Sequence, residues 1–69
     1  MDESDPMEFA DVLVVSASRF MLTCRVGARV IAVRPESVLP GTTLKATGDR
    51  GLLVITRSVA VSLGLVPRR

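Results

Sequence analysis

The stretch that decides the fold is residues 58–66, Ser-Val-Ala-Val-Ser-Leu-Gly-Leu-Val. Its apolar side chains alternate with small or polar ones, which is the period of a half-buried strand. Val59, Leu63 and Val66 also recur at helical spacing, and Gly64 stands where a helix C-cap is expected. An amphipathic surface helix normally carries more charge than the two serines provide. The β-branched content therefore favours extended structure over 58–66, with a helix as the alternative.

Upstream of this stretch, runs of β-branched and aliphatic residues predict five short strands. The predicted strands cover residues 9–15, 19–26, 28–33, 42–47 and 52–55. The first three form an antiparallel meander, and the turn at 48–51 joins the last two as a second hairpin. Pro40 and Gly41 exclude a long helix from the middle of the chain. We therefore expect a mostly β fold with at most one short helix, in which an acidic flexible leader (residues 1–6) precedes a single small β-barrel domain (residues 7–69).

The formal net charge of +2 is unevenly distributed along the 69 residues. Five of the seven acidic residues fall within the first eleven positions, whereas residues 12–69 carry nine Lys or Arg against Glu36 and Asp49, a balance of +7. A basic body behind an acidic leader favours a polyanionic partner. The alternative is a solvated charged surface that has no such partner.

Several kinds of chemistry are missing from the composition. The chain has no His and a single Cys, so a common general base, a zinc site and an internal disulfide are all excluded. That residue, Cys24, falls on the apolar side of a predicted strand, where a buried small hydrophobe is expected. We therefore expect no enzymatic activity, no metal and no cofactor. The chain also has no run of about 18 apolar residues and no basic N-terminus of a signal peptide, so we expect a cytoplasmic protein that does not enter a membrane.

Basic side chains at strand ends and on polar strand faces form the candidate binding set. Guanidinium groups in such positions bind phosphates bidentately. Phe20, beside Arg19, is a candidate platform for stacking a base, and a core position is its alternative. The predicted nucleic-acid-binding residues are Arg19, Phe20, Arg25, Arg29, Arg34, Lys45, Arg50 and Arg57.

The order of several short motifs covers most of the chain. These motifs are Met-Glu-Phe at 7–9, Phe-Met at 20–21, Gly-Ala-Arg-Val-Ile-Ala at 27–32, Thr-Gly-Asp-Arg at 47–50 and Ser-x-Gly-x-Val-x-Arg at 62–68. In this order the chain resembles bacterial translation initiation factor one, a family with a single OB-type barrel. The resemblance implies a small five-stranded OB-type barrel, which binds RNA of the small ribosomal subunit as a monomer in translation initiation. The contacts that it implies are Arg25, Arg29, Arg34, Lys45 and Arg50.

A second resemblance covers the shorter span of residues 45–66. There a strand led by Gly51 passes toward Leu-Gly-Leu at 63–65. This is similar to the swapped-hairpin DNA-binding domain of AbrB-type regulators. The resemblance implies an intertwined dimer that binds duplex DNA as a transcription regulator, with residues 58–64 helical.

Overall fold

A computed structural model describes residues 4–66 of the chain. They form four strands, one 3-10 turn and one α-helix: β1 (Pro6–Ala17), β2 (Leu22–Val26), β3 (Arg29–Val33), the 3-10 turn (Pro35–Ser37), β4 (Arg50–Thr56) and α1 (Arg57–Ser62). The strands make one open antiparallel sheet in the order β3-β2-β1-β4. The expectation of a mostly β fold with one short helix is confirmed. β1 begins at Pro6, the last residue of the predicted leader, and residues 1–3 of that leader lie outside the described residues.

The central strand β1 is bent, and this lets it pair with two neighbours. Its first half pairs with β4 from Pro6 to Leu13, and its second half pairs with β2 from Leu13 to Ala17. The register shifts between Phe9 and Val12 and again between Val14 and Ser16, as at β-bulges. Asp11, inside the first shift, has a φ of 57°, a left-handed conformation that aspartate tolerates better than most residues.

The predicted strand over 42–47 is wrong, because threonine side chains take the place of backbone partners there. Leu52 N donates to Thr43 Oγ1 at 2.9 Å, and Val54 N donates to Thr42 Oγ1 at 2.9 Å. Thr43 N in turn donates to the carbonyl of Leu52 at 3.0 Å. The segment thus lies along β4 without forming a regular ladder, so the second predicted hairpin has only one strand, β4. Gly51 permits this approach, since a Cβ there would collide with Thr43 Oγ1.

The extended structure favoured for 58–66 is also wrong, because residues 57–62 form α1. Thr56 caps this helix, and its Oγ1 accepts a hydrogen bond from Val59 N at 3.3 Å. Ala60 is fully buried, and Gly64 ends the helical segment with a φ of 78°. A helix of six residues needs little charged surface, because its exposed positions are only the two serines. The helical spacing therefore outweighed the β-branched composition.

One side of the sheet forms the core, which α1 and the segment before β4 cover. The buried side chains of this core are Val12, Val14, Leu22, Cys24, Ile31, Val33, Leu44, Leu53, Ile55 and Ala60. Cys24 is fully buried, and burial raises the pKa of its thiol. Its predicted role as a buried small hydrophobe is confirmed.

Candidate nucleic-acid interface

The outer face of the sheet, which is the side opposite the core, carries a row of residues that crosses all four strands. Val30 pairs with Arg25, Arg25 pairs with Leu13, and Leu13 pairs with Arg50. Paired residues share a face, so Arg25 and Arg50 flank Leu13 at two strand spacings, about 10 Å. Both arginines are exposed, and their cross-strand neighbours in the described sheet are apolar. Thr23, Ala32 and Ser16 continue this face with small side chains.

The turn between β1 and β2 holds an aromatic ring in solvent. Ser18 Oγ accepts hydrogen bonds from Phe20 N at 3.2 Å and from Met21 N at 3.1 Å. Ser18 N donates to the carbonyl of Met21 at 2.9 Å, which closes the turn. The Phe20 side chain is 77% exposed, so its alternative position in the core is wrong. These hydrogen bonds hold the backbone of the turn that carries Phe20 and the adjacent Arg19.

Next to this turn lies an open depression of about 570 Å³, which we call the loop-end groove. Its lining residues are Ala17, Ser18, Arg19, Lys45, Ala46 and Thr47. Ala17 N donates to Thr47 Oγ1 at 3.1 Å, and this hydrogen bond joins the two sides of the groove. Two of the predicted cations, Arg19 and Lys45, therefore line one groove although 26 positions separate them in the sequence.

The Asp49 side chain holds the backbone of the turn that carries Lys45. Asp49 Oδ2 accepts hydrogen bonds from Lys45 N at 2.7 Å and from Ala46 N at 2.8 Å. The bonds from Ala46 and Lys45 lower the pKa of this carboxyl. The backbone of the same turn is bonded to β1, since Gly48 N donates to Val14 O and Val14 N donates to Asp49 O, both at 2.8 Å. The sequence identified the turn but not the part that the Asp49 side chain plays in it.

Arg34 adds a third cation at this end of the sheet. It follows Val33, which pairs with Leu22, the first residue after the β1–β2 turn. This pairing places Arg34 level with the turn that carries Phe20, and Arg34 is exposed there. The structure thus places Arg19, Phe20, Arg34 and Lys45 at the loop end, and Arg25 and Arg50 on the outer face.

Arg29 and Arg57 do not join this group. Arg29 follows the β2–β3 turn at the opposite end of β3, and it lies on the same face of the strand as the buried Ile31 and Val33. Its guanidinium lies next to Gly64, with Nη1 3.0 Å from where a Cβ on that glycine would be. Arg57 begins α1 and is half-buried, and its backbone N donates to the carbonyl of Asp5 at 2.8 Å.

Three exposed apolar side chains near the predicted set were missed by reasoning from the sequence. Met21 is 41% exposed beside Phe20, Val30 is 56% exposed in the cross-sheet row, and Val15 is 46% exposed at the second bulge. The alternation in β3 is a signal that could have found Val30. Nothing in the sequence indicates the bulge that turns Val15 outward.

Other features of residues 4–66 bear on the kind of site. No three metal-ligating side chains come together in this part of the chain. No helix in it has the length and apolar character needed to cross a membrane. Comparisons with known protein families, with curated proteins and with solved structures found no match for the chain.

Proposed function

We propose that this protein binds single-stranded RNA, without catalysing a reaction, through the loop end and the outer face of its sheet. The observation that carries the proposal is Phe20, whose ring is 77% exposed on a turn fixed by Ser18. Contact with water does not stabilise an exposed phenyl ring, whereas stacking of a base on such a ring contributes about 1–3 kcal/mol per base. Because hydrogen bonds hold the backbone of the turn, binding has to order only the side-chain torsions of Phe20.

The cations around Phe20 supply the second half of the argument. Arg19 and Lys45 line the groove beside the ring, and Arg34 stands at the same end of the sheet. A phosphate next to a base stacked on Phe20 reaches these groups, and the strand continues over Arg25 and Arg50. Electrostatic contacts of this kind carry most of the sequence-independent affinity for nucleic acids.

The setting of the proposal is cytoplasmic translation initiation at the small ribosomal subunit, with the protein acting as a monomer built on an OB-type barrel. Two observations support an OB-type arrangement: the opening meander of β1, β2 and β3, and a bent β1 that pairs on its other side with β4. A fifth strand would be needed to close such a barrel. The ribosomal setting rests on the resemblance described above.

A second candidate function is that of a dimeric AbrB-like regulator that binds duplex DNA. It is favoured by the direct passage of β4 into α1 at Arg57, which agrees with the helix that the resemblance implied for 58–64. This candidate requires two chains that interlock and a preference for duplex DNA over a single strand.

The experiment that tests the proposal measures the anisotropy of a fluorescein-labelled oligouridylate of about 12 nucleotides over a series of salt concentrations. For the wild-type protein we expect log K to fall with log salt by about 0.7 for each phosphate neutralised. Arg25→Gln should lower that slope by about 0.7 with little dependence on base identity. Phe20→Ala should cost about 1–3 kcal/mol of affinity and leave the slope unchanged.

Arg29→Gln is the matched control, because Arg29 lies at the other end of β3 on the opposite face. It should bind the oligouridylate as the wild type does. In parallel, binding to a labelled 20-base-pair DNA is measured by anisotropy, and the oligomeric state is measured by sedimentation equilibrium. A dimer that prefers the duplex supports the second candidate, and an absence of binding at low salt to either probe contradicts both.

A further inference from the structure

The two edges of the sheet differ in how their backbone groups are used. At β4 the outward N–H groups of Leu52 and Val54 donate to threonine hydroxyls, and their carbonyls accept from Thr43 N and Leu39 N. At β3, the other edge, no segment within residues 4–66 pairs with the free side. The backbone bonds that residues 4–66 make outside the strand ladders include none from residues 29–33. Within the described part of the chain, one edge is therefore closed and the other is open.

The geometry of the β2–β3 hairpin identifies which groups are open. A two-residue turn with Gly27 at a φ of 61° joins Val26 to Arg29, so these two form a hydrogen-bonded pair. Hydrogen-bonded and non-bonded pairs alternate in an antiparallel ladder, and the register makes Val30 and Ala32 the non-bonded residues of β3. Their N–H and C=O groups point away from β2. Val30 is 56% exposed and Ala32 is also exposed, so a further strand can reach all four groups.

The positive charges along this edge favour a particular charge on an added strand. Arg29 and Arg34 stand at its two ends, Arg25 lies on the neighbouring strand, and residues 22–35 contain no acidic residue. A second copy of this edge would bring the same three arginines to the seam, with no acidic side chain from residues 22–35 to meet them. Like charges brought close together across a strand pair destabilise it. A strand with acidic side chains has the complementary charge.

A depression lies at the Arg29 end of the same edge. It has a volume of about 680 Å³, and its lining includes Phe9, Val26, Val30 and Leu65 together with Arg29. An added strand alternates its side chains between the two faces of the sheet. Arg29 lines this depression on the core side of the sheet, whereas Val30 and Ala32 lie on the outer side. An acidic side chain of the added strand can thus meet Arg29 at the depression while its aliphatic neighbours lie beside Val30 and Ala32.

We propose that the free edge of β3 binds an extended acidic peptide segment of a partner protein by strand addition. Backbone bonds to Val30 and Ala32 supply the affinity, and Arg34 together with Arg29 at the depression supplies the selection. This inference does not rest on RNA binding, which uses the outer face and the loop end.

The test uses the full-length chain and a fluorescein-labelled, acetylated eight-residue peptide of alternating glutamate and valine. Ala32→Pro removes one outward N–H without removing a bond to β2, and Ala32→Val retains that N–H as the matched control. We expect roughly tenfold weaker peptide binding for Ala32→Pro and unchanged binding for Ala32→Val. Arg29→Gln should weaken the peptide complex while leaving oligouridylate binding unchanged.

The peptide itself gives a second measurement that needs no folded variant. Methylation of the backbone nitrogens along one edge leaves the other edge able to pair, so binding should persist. Methylation along both edges keeps every charge but removes every donor, so binding should be lost. Equal binding of the fully methylated peptide, or of a lysine-valine peptide, overturns the proposal. Self-association that Ala32→Pro abolishes also overturns it, because the edge would then belong to a second copy.

Discussion

At the scale of single residues, Asp49 is an acid whose ionisation stabilises a turn of the fold. Hydrogen bonds from the backbone of Ala46 and Lys45 lower its pKa, so the folded state binds its proton less readily than the unfolded state does. The ionised Asp49 carboxylate therefore stabilises the folded state fully above the ordinary pKa of aspartate. That stabilisation is lost as the pH falls through the lowered pKa of the folded state. Below that value the turn that presents Lys45 loses its charged acceptor.

We predict that Asp49→Asn removes a pH-dependent part of the stability. Thermal melts between about pH 5 and pH 2 should show the wild-type midpoint falling more steeply than that of Asp49→Asn, because the amide has no proton to gain. The difference between the two curves isolates this carboxyl from the other acids, and Glu36→Gln is the control for an exposed acid. Parallel curves for wild type and Asp49→Asn would show that the two turn bonds do not depend on charge.

At the scale of elements, α1 depends on one side chain for its first turn. Thr56 Oγ1 accepts from Val59 N at 3.3 Å, and loss of such a cap costs about 1 kcal/mol. We predict that Thr56→Ala lowers the melting midpoint by about 4–8 °C for a domain of this size. Ser58→Ala is the matched control, because Ser58 is exposed in the same turn and does not cap the helix, and it should change the midpoint by less than about 2–3 °C. Equal losses in the two variants would mean that the Thr56 hydroxyl does not hold the helix.

The elements also show where sequence patterns suffice. Residues 19–26 and 28–33 could be predicted as strands because alternation and a glycine turn agree, and β2 and β3 confirm most of both ranges. Residues 19–21 were wrongly included, because they belong to the turn that Ser18 holds. The 42–47 segment has the same alternation, but its threonine hydroxyls compete with the backbone for β4. In 58–66 both periods were present, and the core contact of Ala60 together with the cap at Thr56 decided between them. Such competition is settled by tertiary partners that the local sequence does not contain.

In the candidate site, too, the sequence predicts some features and tertiary contacts decide others. That Arg19, Arg25, Arg34, Lys45 and Arg50 would be exposed followed from their positions at strand ends and on polar faces. Which of them lie together depends on the bulges in β1 and on the turn at Asp49, and neither has a local signature strong enough to fix the sidedness of a strand. Arg29 lies on the face opposite Arg25 for a simpler reason, because the two-residue turn pairs Arg25 with Val30, the residue next to Arg29.

At the scale of the whole molecule, a 69-residue chain with a small aliphatic core has little stability to spare, so a bound ligand has a large effect on it. A ligand that binds only the folded state at about 100 times its Kd adds about 2.7 kcal/mol. For a domain of this length we predict that saturating oligouridylate raises the melting midpoint by roughly 10–20 °C. Inorganic phosphate at equal ionic strength should not reproduce this shift, since it has no base to stack on Phe20. Phe20→Ala at the same oligouridylate concentration should show a clearly smaller shift, and an unchanged midpoint for the wild type would contradict binding to the folded chain wherever the site lies.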